Sequence, residues 1–156
     1  MADDPAEGLG PLDLAAAVRA ETDTQAERSL LETRHFVAGH ARAWRDPSSV
    51  AYAAVYEFGS PADAAAYLVD GFVTLESRGA RVYDVPTPTG GRGFSQGAER
   101  DIAHGVAFVR GARFFLVIES GSGRTAPAAD GAAALARAVE QLAGERGGQH
   151  ERDAPS

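Results

Sequence analysis

Three stretches of this chain alternate bulky and small residues with a period of two, a fourth is rich in strand-forming residues, and they come as two pairs, each joined by turn-forming residues. Arg34–Arg45 (RHFVAGHARAWR) runs through Asp46-Pro47-Ser48-Ser49 into Val50–Phe58 (VAYAAVYEF). Asp101–Arg110 and Arg113–Ser120, with VAFV and FFLVIE at their centres, flank Gly111-Ala112. Period-two alternation sends successive side chains to opposite faces of a strand, and turn residues between such runs fold them back on each other. Two β-hairpins follow, and a chain built on hairpins makes a mainly antiparallel sheet.

Helices fill the intervals. Pro11–Thr33 carries Leu12, Val18, Leu30 and Leu31, and Thr24-Gln25-Ala26-Glu27 reads as a capping box, so the pattern predicts two short helices broken near Thr22–Asp23. Ser60-Pro61-Ala62-Asp63 supplies a hydroxyl cap, a proline at the first helical position and a carboxylate in the first turn. That helix runs to Arg78 and stops at Gly79. Ala80–Val85 reads as a short strand, Pro86–Arg100 as a long loop, and Ala128–Ala143 as an Ala-rich helix with Leu135, Val139 and Leu142 on one face. The order α-ββ-α-β-ββ-α predicts an α+β two-layer sandwich, an antiparallel sheet of about five strands with its helices on one face. Residues 11–144 form one domain between a flexible segment, 1–10, and a disordered tail, 145–156. YEFGSPADAAAYL and VIESGSGRTAPAADGAAALA echo each other, through duplication of a ββα unit or through alanine bias alone.

Composition excludes several functions. There is no Cys, which removes disulfide frameworks, thiolate metal sites and cysteine nucleophiles. A net charge of −7 argues against nucleic acid as a partner, because phosphate binding needs a basic surface. Every cationic residue is Arg, Ala makes up about a fifth of the chain, and Lys and Asn are absent. That bias reflects a high-GC genome. No stretch approaches the roughly 20 apolar residues of a membrane span, and the acidic start MADDPAEG is no signal peptide. The chain is therefore cytoplasmic, or extracellular and membrane-anchored if an upstream signal has been removed.

Alternation divides each strand into two sets. Val37, Gly39, Ala41 and Ala43 oppose Phe36, Ala38, His40, Arg42 and Trp44; Ala51, Ala53, Val55 and Glu57 oppose Val50, Tyr52, Ala54, Tyr56 and Phe58. Ala103, Gly105, Ala107 and Val109 oppose Ile102, His104, Val106, Phe108 and Arg110. If the small sets face the helices, then His40, Arg42, Trp44, Tyr52, Tyr56, His104 and Phe108 share an open aromatic face, with Arg92 in the adjoining loop. Aromatics and Arg are the residues that dominate binding hot spots, so this face is the candidate binding site for a small apolar ligand, a protein partner or a second copy. Inverted packing, with the large sets forming the core, is the alternative.

No catalytic motif stands out. His40 and His104 could meet across the sheet beside Glu57, Glu119 or Asp84, the one arrangement that would suggest an enzyme or a metal site. Ser60, Ser95, Ser120 and Ser122 lack a nucleophile elbow, and Gly90-Gly91-Arg92-Gly93 and Gly121-Ser122-Gly123-Arg124 lack the lysine of a phosphate-binding loop. No cofactor is implied.

The run GHARAW with its VYEF strand, the helix start SPADAAAYL and the hairpin GVAFVRGARFFLVIES resemble small exported or lipid-anchored domains of actinobacteria. The resemblance spans Leu30–Gly144 and extends to sensor-like extracellular domains and PsbP/Mog1-like lipoproteins. It implies an exported, non-catalytic binding domain and brings no catalytic residues with it.

Overall fold

All the strands of the computed structural model join one antiparallel sheet. The structure describes residues 10–19, 21, 23–45, 47, 49–86, 88, 90–98, 101–122, 136, 137, 139 and 140. Its elements are β1 (Gly10–Leu12), α1 (Leu14–Arg19), α2 (Thr24–Thr33), β2 (Phe36–Arg45), β3 (Ser49–Phe58), α3 (Pro61–Ser77), β4 (Arg81–Asp84), β5 (Arg92–Ala98), β6 (Asp101–Arg110) and β7 (Arg113–Ser122). The sheet order is β1-β2-β3-β7-β6-β5-β4. Both expected hairpins are present. From the first, α3 carries the chain to the far edge, and the meander β4-β5-β6-β7 returns until β7 pairs with β3. The expected flexible start, the disordered tail and most of the Ala-rich helix lie outside the described residues.

The α+β class and antiparallel sheet hold, but among the described residues the strands number seven rather than five. Gly10-Pro11-Leu12 pairs with Gly39–Ala41 instead of starting a helix. A proline fits there because β1 is an edge strand. The second addition is β5, inside the stretch expected to be a loop. Its glycines make the composition loop-like, yet each has a structural reason: Gly93 faces a neighbouring ring, and Gly97, at φ 117°, passes close to the Asp101 backbone. A β-carbon on Gly93 would run into the Tyr83 ring, while Phe94 is buried against α3 beside Phe72. Pairing with β4 and β6 on either side overrides weak strand propensity.

Helix ends follow their local chemistry. Ser60 caps α3 by accepting from the Asp63 amide at 3.1 Å, with Pro61 in the first turn. At the other end Gly79, at φ 85°, donates to the Glu76 carbonyl and Ala80 donates to that of Leu75. The cap of α2 is Asp23, one residue before the expected Thr24; its Oδ1 accepts from Ala26 N at 3.1 Å. A carboxylate at that position competes well with a hydroxyl for the free amides.

The first sheet face carries α1, α2 and α3. Here Leu12, Val18, Leu31, Tyr56, Phe58, Tyr67, Phe72, Phe94 and Phe114 form the main core. The second face is also covered. Val106, Phe108, Phe115 and Val117 pack with Ala136, and Val139 borders them. Helical residues therefore lie on both faces, not one. The reason is that β6 and β7 are apolar on both sides, Ala107 and Val109 against Val106 and Phe108, and such strands need cover above and below.

A part-buried polar pair ties α2 to α3. The Tyr67 hydroxyl donates to Glu27 Oε1 at 2.6 Å. Burial pushes the Glu27 carboxyl above the ordinary 4.5, and the Tyr67 hydroxyl pulls it part of the way back. Burial also raises Glu21, with repulsion from Glu27 adding to it and Arg78 opposing it. The folded state thus binds these protons more tightly than the unfolded chain. Their contribution to stability is full below the ordinary carboxylate value and is lost as pH rises through the raised folded values. Glu27→Gln keeps an acceptor for Tyr67 and should flatten the fall in melting temperature between pH 4.5 and 7. An unchanged slope in thermal melts across that range would remove Glu27 as its source.

Candidate functional site

Register decides what shares the second face. The pairs Gly39↔Tyr56, Ala41↔Ala54 and Ala43↔Tyr52 put the small set of β2 beside the large set of β3. Four residues separate the paired Arg45 and Val50, so odd positions of β2 meet even positions of β3. Tyr52 and Tyr56 therefore lie on the first face in and beside the core, a correction to the single aromatic face. Burial raises both hydroxyls above their ordinary range, which keeps them neutral. The fit is close: a β-carbon on Gly39 would stand 3.0 Å from Tyr56 Cδ1. Arg92 is also corrected. It belongs to β5 on the first face, over the Phe72 ring at 4.9 Å and 3.9 Å from Asp84.

His40, Arg42, Trp44, His104 and Phe108 do lie on the second face. Phe108 is fully buried there, stacked on Phe115 at 4.8 Å, and so supports the face from within. His104 is flanked in register by Ser95 and Glu119, and its Nδ1 is buried without a hydrogen-bond partner among the described residues. Between β2 and β6 stand β3 and β7, and the row of His40 runs through Val55 and Phe115 to Phe108, four residues from His104, so three strand spacings across and four residues along separate the two histidines by roughly 19 Å. The two imidazoles are not brought together, and the expected pairing for an enzyme fails on this point. Among the described residues no group of three His, Asp or Glu could hold a metal ion.

What β2, β3 and β7 do form is a groove of about 490 Å³, in the range of small-molecule sites. Registered rows build its floor: Arg42↔Ala53 and then His40↔Val55↔Phe115, with Ala38↔Glu57↔Arg113 at one end. Val139 also lines it. The floor is apolar and the margins are charged. Glu57 and Arg113 pair loosely at 3.9 Å. Arg42 makes no ion pair among the described residues; its guanidinium lies 5.3 Å above the Trp44 ring, which is 38 % exposed. Val55, Arg113, Phe115 and Val139 were not among the expected site residues, and Glu57 was expected only as a carboxylate beside the two histidines. One signal for them was in the sequence. The set Ala51, Ala53, Val55 ends in Glu57, a carboxylate ill suited to lie beneath helices, which marks that set as facing away from them.

Fold and groove together define an antiparallel α+β domain with a ligand-sized depression on the sheet face away from α1, α2 and α3. A solved structure with a similar fold is the extracellular domain of PknH from Mycobacterium tuberculosis: TM-score 0.52, 12 % identity, over 71 % of this chain and 68 % of that one. At that identity the likeness is one of fold. No protein family matches the chain, and no curated protein matches it significantly. Among the described residues no helix is long and apolar enough to cross a membrane.

Proposed function

We propose that this chain is a non-catalytic binding domain that holds a small molecule in the groove over β2, β3 and β7. The observation that carries the reading is the groove itself, an apolar floor of Ala53, Val55 and Phe115 edged by Arg42, His40 and Arg113. The fold likeness to an extracellular domain supports placing it outside the membrane, as the sequence resemblance implies.

Trp44 is the sole tryptophan and lies under Arg42, which lines the groove, so its emission reports on the groove's margin. Titration with amphiphiles should shift that emission saturably. Val55→Glu, which sets a charge in the floor, should weaken binding at least about tenfold while thermal unfolding shows an intact fold. Binding unaffected by Val55→Glu would place the ligand elsewhere. Quenching that tracks protein concentration, together with a dimer mass by light scattering, would reassign the face to self-association.

A further inference from the structure

The groove has a polarity that narrows its ligand, an inference resting on the binding reading above. We infer that it takes an anionic amphipath, a carboxylate- or phosphate-headed aliphatic chain, with the head at Arg42 and the chain along Val55 and Phe115. Arg42 stands in register with Ala53, one row from His40↔Val55↔Phe115, so a single molecule can span the guanidinium and the apolar floor.

Charge sets the sign. The protein as a whole carries −7, which repels anions, yet the groove margin offers two guanidinium groups against one carboxylate. Glu57 already partners Arg113 at 3.9 Å, whereas Arg42 has no carboxylate among the described residues. The Trp44 ring holds the Arg42 side chain without neutralising it, leaving its N–H donors for a bidentate anion. A neutral chain would satisfy the floor and leave that cation unused. A bare anion would satisfy Arg42 and leave the floor wet.

The test compares dodecanoate, dodecyl phosphate, uncharged dodecyl maltoside and acetate, each below its micelle concentration, by Trp44 emission and calorimetry. Dodecanoate and dodecyl phosphate should bind at least about tenfold more tightly than the maltoside, and Arg42→Gln should erase that margin while barely changing maltoside binding. The advantage should shrink in high salt. Whichever of the two anionic chains binds more tightly identifies the head group. Equal binding of maltoside and dodecanoate would overturn the anionic assignment and leave the groove reading intact. Acetate matching dodecanoate would remove the need for a chain. Failure of all four to bind would overturn both the ligand class and the groove as a binding site.

Discussion

Phe108→Ala should lower the free energy of unfolding by about 3–5 kcal/mol, measured by urea denaturation, the range for emptying a fully buried aromatic site. Phe108 is completely enclosed, lies nearly parallel to Phe115 with ring centres 4.8 Å apart, and packs with Val106, Val117 and Ala136. Neighbouring strands are hydrogen-bonded on both sides, so the backbone cannot close the cavity. The loss should reach the groove as well. Phe115 belongs to its floor, and Val139 borders the same cluster, so Trp44 titrations on the variant should show weaker ligand binding. A loss below about 1.5 kcal/mol would mean that the second face is not packed as a core.

Gly105→Ala should be as damaging despite adding a single carbon. That carbon would stand 2.2 Å from Cε1 of the Phe94 ring, which lies across Gly105 from the paired strand β5. Phe94 is itself 5 % exposed and held edge-on to Phe72 of α3, so it has little room to turn away. Overpacking of this kind costs about 1–3 kcal/mol and more where neither partner can yield, so a loss of about 3 kcal/mol or greater is expected. The double variant Gly105→Ala/Phe94→Ala separates clash from other causes. Its destabilisation should fall short of the sum of the single losses by more than about 1 kcal/mol. Additive losses would show that ring and glycine do not oppose each other.

Much of the scaffold was legible because its signals are local. Turn clusters between alternating runs gave both hairpins, and Ser60-Pro61 with Gly79 bounded α3. The missed strands lack local signals. Neither Gly10-Pro11-Leu12 nor RGFSQGA has strand propensity, and each becomes a strand through a partner supplied by another part of the chain. The site divided in the same way. His40, Arg42 and Trp44 were found by residue type, whereas Val55, Arg113 and Phe115 required the register of β3 and β7. Phe36 shows how finely register acts. The bulge between Phe36 and Ala38 leaves Val37 61 % exposed and turns Phe36 onto the first face against Tyr56, away from the even-numbered set to which alternation had assigned it.

By itself the sequence determined the class of domain and the kinds of side chain at its surface, since periodicity, caps and turns act within a few residues along the chain. Tertiary structure alone decided which faces those side chains share. An even-length turn set the small residues of β2 against the tyrosines of β3, and the double-sided apolar strands β6 and β7 drew helical cover to the second face. Pairing across strands fixes a side chain's face by parity, and a shift of one residue in any pairing would have reversed it. The groove exists because the parity of β3 buries Tyr52 and Tyr56 under the helices and leaves Ala53 and Val55 on the other side.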